Sequence, residues 1–164
     1  MYKTNKQKEP ELNEAFELYL GDVRKKLDIK KFRSLRDFFD NKLLVVYSIQ
    51  KGIPYSLFQQ IKEAIPFTDK DWAEFLNISI KSLQRYKTKK DYRFRPIHSE
   101  KIIELAEVAY LGKEVFESFD KFYLWLHTPL YALGNMKPVD LLKNSYGKEM
   151  VTDELNRIDH GIFI

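Results

Sequence analysis

A chain of 164 residues can bury one substantial core, or two small ones that share an interface. Its 44% hydrophobic and 15% aromatic content excludes a disordered protein, and the longest apolar run, Leu43 to Tyr47, is far below the ~18 residues that cross a bilayer. The absence of cysteine excludes disulfides, thiolate metal sites and a thiol nucleophile. The polar opening, Lys3 to Glu11, has no apolar core of a signal peptide, so the expected location is the cytoplasm. The net charge of +4 is unevenly spread: residues 1–100 hold 21 Lys and Arg against 14 Asp and Glu, and residues 101–164 hold 7 against 10.

Apolar spacing of three and four recurs along almost the whole chain, which predicts an all-α protein. Pro10 opens a charged amphipathic arm in which Leu12, Phe16, Tyr19, Leu20, Val23 and Leu27 fall at helical spacing, with Gly21 a possible interruption. A helix from about Asn41 to Gln50 should end at Gly52, although Leu43-Leu44-Val45-Val46-Tyr47 has the β-branched content of a strand. Pro54 is suited to the first turn of the next helix, with Leu57, Phe58 and Ile61 inward, and Pro66 stops it.

Thr68 is then placed to cap a short helix with Asp71 answering three residues later, and Phe67 and Trp72 stand at the positions of a hydrophobic staple. Asn77 can take the left-handed conformation that a tight turn needs, and Ser79 caps a second helix. This is a helix-turn-helix pattern. With Ile78, Leu83, Ile80 and Tyr86 assigned inward, Ser79, Lys81, Ser82, Gln84, Arg85 and Lys87 remain for the outer face. Gln can pair bidentately with adenine and Arg with guanine, while Ser and Lys suit phosphates or base edges. Lys89 and Lys90 extend the basic block, which carries seven cations against Asp91 alone between Lys81 and Arg95.

From Pro96 the expected helix buries Ile97, Ile102, Leu105, Ala106 and Ala109 and ends at Gly112. A second runs from Lys113 to Leu126 and buries Val115, Phe116, Phe119, Phe122, Tyr123 and Trp125. Pro129 and Gly134 shape a loop, Pro138 opens a short helix through Leu142, and Gly147 precedes a last helix. In it Val151, Leu155 and Ile158 face inward and Gly161 is the stop. The apolar end, Ile162-Phe163-Ile164, must either fold back on the core or enter a partner.

The blocks Ala132-Leu133-Gly134, Lys137-Pro138-Val139-Asp140-Leu141-Leu142 and Leu155-Asn156-Arg157-Ile158-Asp159-His160-Gly161 resemble the C-terminal toxin-binding domain of the Xre/MbcA/ParS antitoxins. Leu76-Asn77-Ile78-Ser79 followed by a basic helix is similar to the Xre-like half of the same family. The resemblance covers about residues 52 to 163, with Asn135 where a second glycine is frequent, and it leaves the N-terminal arm unmatched. It implies an N-terminal Xre-like helix-turn-helix bundle followed by a small helical toxin-binding and dimerisation domain. The expected division is an arm over 1–35, the helix-turn-helix domain over 36–95 and the antitoxin domain over 96–164. The implied partners are operator DNA, a second copy of the chain and a cognate RES-type toxin that consumes NAD, or a related ADP-ribosylating enzyme. Carried over, Arg157, Asp159, His160, Ile162, Phe163 and Ile164 would occlude the toxin's active site. The alternative is a helix-turn-helix regulator without a toxin, its C-terminal half used for dimerisation.

No catalytic residue, cofactor or metal is expected. His98, His127 and His160 lie without metal-ligand spacing, His98 near a helix start and His127 and His160 near helix ends, where a last-turn histidine serves as a cap or dipole partner. Asp153 and Glu154 are adjacent and diverge on a helix. There is no Gly-rich phosphate loop or Ser-His-Asp constellation.

Overall fold

The computed structural model describes residues 8–30 and 34–161, and among these every regular element is helical. The helices are α1 (Lys8–Lys26), α2 (Leu35–Asp40), α3 (Lys42–Lys51), α4 (Tyr55–Ala64), α5 (Asp69–Phe75), α6 (Ile80–Thr88), α7 (Pro96–Phe116), α8 (Phe119–Leu126), α9 (Pro138–Leu141) and α10 (Ser145–Asp159). A 3-10 turn, Tyr131–Leu133, lies between α8 and α9. The described residues fall into two compact units, one within 8–104 and one within 105–161, and the change of unit lies inside α7.

In the first unit α1 packs on α3 and α4 through Leu12, Phe16 and Leu20, all buried, and Gly21 does not interrupt it. The six-residue α2 follows Ser34; sequence periodicity had too few positions to announce it, yet Leu35, Phe38 and Phe39 are buried. Leu43–Tyr47 is helix and not strand. A strand would set Leu44 and Val46 on one face, but Leu44 is 1% exposed and Val46 46%, whereas Leu44 and Ser48, one helical turn apart, are both buried. Asn41 begins α3 by accepting from the Leu44 amide at 3.2 Å.

Gly52 ends α3 with φ +82°, and a Cβ there would stand 2.6 Å from the Phe94 carbonyl oxygen. That close approach lets residues 53–55 pair with 92–94: the Phe94 amide donates to the Ile53 carbonyl and the Tyr55 amide to the Tyr92 carbonyl, both at 2.9 Å. Pro54, expected inside α4, is its extended N-cap residue (ψ 150°), because it is bridged to Arg93. The buried Ser99 hydroxyl ties both segments, accepting from the Ile53 amide at 2.9 Å and donating to the Phe94 carbonyl at 3.2 Å. A chain of rings continues inward: Phe94 lies 4.9 Å from Phe58, which meets Trp72 edge-on at 5.1 Å. Such pairs each contribute about 0.5–1.5 kcal/mol beyond the area they bury.

In the second unit Gly112 lies within α7 and does not end it. The helix continues because the Phe122 ring of α8 packs where a Cβ would be, 2.1 Å away. The break comes at Glu117 (φ +57°), after which Ser118 caps α8 by accepting from the Asp120 and Lys121 amides. In the part of α7 that belongs to the first unit, Ile97, expected inward, is 69% exposed. Gly147 is likewise inside α10 and not before it. Asn144 caps that helix through the Gly147 amide at 2.9 Å, and a Cβ on Gly147 would fall 2.0 Å from the Leu141 carbonyl oxygen. Val151 and Leu155 seat α10 on the core, and Lys148 reaches Glu107 of α7 at 3.4 Å.

Gly147→Ala therefore destabilises the chain by about 2–3 kcal/mol, since α9 and α10 must separate, whereas Gly134→Ala, with nothing within 4 Å but φ +68°, costs about 1 kcal/mol; urea unfolding of the two variants measures the difference. His98 is buried, and burial followed by the nearby Arg95 charge lowers its pKa from 6.5. The unfolded imidazole therefore protonates first, so stability held above pH 6.5 is lost as the pH falls below it. The thermal midpoint of His98→Gln should fall less steeply than that of the parent between about pH 7.5 and 5.5.

Candidate functional site

The first candidate surface is built on α5 and α6. Thr68 and Asp71 form the expected capping box: the Asp71 amide donates to the Thr68 hydroxyl at 3.1 Å and the Thr68 amide to the Asp71 carboxylate at 2.8 Å. The staple is present too, with Phe67 and Trp72 rings 5.6 Å apart, edge to face. Asn77 has φ +51° and its amide donates to the Glu74 carbonyl at 3.1 Å, which turns the chain into α6. Ser79 caps that helix, accepting from the Ser82 amide at 3.0 Å.

Leu83 is the residue of α6 that the core buries. Ser79, Lys81, Gln84, Arg85, Lys87, Lys89 and Lys90 are exposed, and Ser82 is half-buried beneath the Ser79 hydroxyl, 3.0 Å away. Ile80, expected inward, is 42% exposed and joins the outer face beside Lys81. The last turn of α6 carries Arg85 and Lys87, cations that suit a helix C-terminus. The exposed side chains thus present a polar, cationic helix on a scaffold whose entry is fixed by two local caps.

The loop after α6 is more ordered than its charge suggests. Tyr86 and Tyr92 stack 4.1 Å apart at 11°, and the Lys89 ammonium lies 5.8 and 5.7 Å over their rings. Asp91 takes φ +53° to bring the chain round. Burial, then the adjacent Tyr86 hydroxyl, raise the Tyr92 pKa, so the Tyr92 phenol stays neutral. Arg93 donates to the Gly52 carbonyl at 3.1 Å, which also accepts from the Tyr19 hydroxyl at 2.8 Å. Burial pushes Tyr19 up to about 12, with the Arg93 charge acting against it. The sequence places Tyr19 and Tyr86 on helix faces and leaves Tyr92 and Arg93 out of the site; the interleaving Tyr86-Lys87-Thr88-Lys89-Lys90-Asp91-Tyr92-Arg93 is the signal that points to them.

The second candidate surface is the end of α10. Arg157 is half-buried and pairs with Glu154 one turn earlier. Asp159 is the last helical residue and is exposed. His160 caps the helix, its Nδ1 2.7 Å from the Asn156 carbonyl oxygen, and Gly161 (φ +68°) redirects the chain. These three side chains therefore share the exit of one helix. Ile162, Phe163 and Ile164 lie outside the described residues. The loop before α9 is closed by the Leu130 amide on the Met136 carbonyl at 3.1 Å, with Gly134 and Asn135 both left-handed. His127 is engaged locally, Nδ1 2.8 Å from the Tyr123 carbonyl oxygen, and among the described residues no three His, Asp or Glu side chains gather to hold a metal.

Known proteins match the segments that carry both surfaces. Residues 45–107 fit the family model of the antitoxin Xre-like helix-turn-helix domain, and residues 111–161 that of the antitoxin Xre/MbcA/ParS C-terminal toxin-binding domain. Antitoxin Xre of Yersinia enterocolitica serotype O:8 / biotype 1B is 29% identical over 121 residues, spanning 73% of this chain and 81% of that protein. The crystal structure of the M. tuberculosis MbcT–MbcA toxin–antitoxin complex contains a chain similar in fold, with a TM-score of 0.51 and 22% identity over 65% of this chain and 94% of that one. A helix-turn-helix matched at α5 and α6 and a toxin-binding domain matched from the end of α7 through α10 stand in tandem, and the chain belongs to the Xre/MbcA/ParS antitoxins, as the antitoxin of a toxin–antitoxin system.

Proposed function

We infer that the exit of α10 blocks the active site of a NAD-consuming toxin of the RES type, or a related ADP-ribosylating enzyme, and that α6 represses the chain's own operon. The observation that carries the first half is the placement of Arg157, Asp159 and His160 at the end of a helix anchored by Val151 and Leu155, with Asp159 and His160 exposed. An anchored helix presents its last turn without an ordering cost, which favours a tight inhibitory contact. In this reading Ile162, Phe163 and Ile164 continue the contact into the toxin. The crystallised M. tuberculosis neighbour, seen in complex with its toxin, supports a toxin partner here.

The second half rests on α6. Its exposed Gln84 and Arg85 can read base edges, while Lys81, Lys87, Lys89 and Lys90 suit phosphates. Two half-sites one helical turn apart would be read by a homodimer. The domains serving these roles are proposed as 36–95 for DNA and 96–164 for the toxin, with 1–35 as an arm. The chain acts by binding, in the cytoplasm and away from membranes, with no catalysis of its own; His127 and His160 are each held by a local backbone contact. No helix among the described residues is long and apolar enough to cross a membrane.

Removing Ile162–Ile164 should leave operator binding intact and weaken inhibition of the co-expressed toxin's NAD turnover by at least tenfold; full neutralisation by the truncated chain would refute the occlusion. Arg85→Ala should weaken binding to the DNA upstream of the chain's gene by about 1–3 kcal/mol, read by titration at several salt concentrations. Affinity unchanged throughout would place DNA recognition elsewhere.

A further inference from the structure

The first unit contains a groove of about 610 Å³ that shares Lys87 and Lys89 with the proposed operator surface and whose remaining lining neither proposed activity uses. It lies between α1, the start of α4 and the loop after α6. Its lining includes the cations Lys87, Lys89 and Arg93 and the rings of Tyr19, Tyr55 and Tyr92, with Arg93 lying over the Tyr19 ring. We propose that this groove binds a nucleoside phosphate, its phosphates on Arg93, Lys89 and Lys87 and its base against the tyrosine rings.

Three observations carry this. The volume lies in the range that encloses one small organic ligand (about 300–1,000 Å³). The cations are positioned and not merely present. Arg93 spends one N–H on the Gly52 carbonyl at 3.1 Å and lies 5.9 Å over the Tyr19 ring, which leaves the rest of its five-donor fork for an anion. Lys89 is held over the Tyr86–Tyr92 stack. The rings are braced from behind as well, Tyr55 by Phe58 at 5.6 Å and Phe94 at 6.2 Å, and Tyr92 by Tyr86, while all three lining tyrosines remain half-buried.

A bare anion would need only the cations; the tyrosine rings add a partner for a flat, polarisable base. Asp91, at the same rim, can accept from sugar hydroxyls and disfavours a long polyanion. Tyr19 comes from α1, which precedes both matched domains, so the arm has a defined job: it completes the groove and fixes Arg93 through the shared Gly52 carbonyl.

The ligand could be a free nucleotide or the 5′-phosphorylated end of a single strand, and calorimetric titration of the full chain separates them. ATP, tripolyphosphate and a short 5′-phosphorylated oligothymidylate are compared. ATP or the oligonucleotide should bind at least tenfold more tightly than tripolyphosphate, the tighter of the two naming the source. Arg93→Ala should lose at least tenfold, with Arg93→Lys intermediate and thermal melting confirming that both variants fold. Tripolyphosphate binding as tightly as both ATP and the oligonucleotide would overturn the proposal in the parent chain alone, and unchanged binding of the tighter ligand by folded Arg93→Ala would overturn it too. Because Arg93 is not among the residues assigned to the operator, loss of nucleotide binding with operator affinity retained separates this site from α6.

Discussion

The helix-turn-helix unit depends on one close approach, that of the Phe94 carbonyl to Gly52. Because no side chain intervenes, the 92–94 segment lies against 53–55 and its amides are satisfied there, and Ser99 closes the arrangement from α7. Phe94 is thereby delivered into the core at the junction of Phe58, Tyr55, Tyr86 and Tyr92. A backbone contact, available to no residue but glycine at this distance and φ, thus sets where α6 ends and where the basic loop runs. The charge-bearing residues are held by neighbours that carry no charge.

The second unit uses the same device twice. Gly112 admits the Phe122 ring and Gly147 admits the Leu141 carbonyl, so α8 and α10 sit closer to their supports than any side chain would allow. The result is a terminal helix whose inner face is fully committed while its last turn stays polar and open. Rigid support with a free end is the arrangement expected of an inhibitor that must present a few side chains at fixed positions.

Local chemistry was the legible part of the sequence. The Thr68–Asp71 box, the Phe67–Trp72 staple, the Asn77 turn and the Ser79 cap each rest on residues at most five positions apart, and each is present. Gly112 and Gly147 were misread as helix boundaries because a glycine's propensity is visible in sequence while the ring or carbonyl that requires it is not. The same limit applies to Ile80 and Ile97, whose exposure is decided by what lies opposite, and to α2, which is too short for a period. The outer face of α6 was found by subtraction, since Leu83 and the caps define its inner side. The groove escaped because Tyr19, Tyr55 and Arg93 converge from three distant stretches.

Each unit contains one tryptophan, and the two are in different settings. Trp72 is completely buried among Phe58, Phe67 and Phe75, whereas Trp125 is half-buried against Phe116 and Phe122. An indole in a dry ring cluster and one near water emit at different wavelengths, so the natural chain carries an optical label in each half. Unfolding of the helix-turn-helix half and of the C-terminal half can therefore be followed separately, in one cuvette, with nothing attached to the protein.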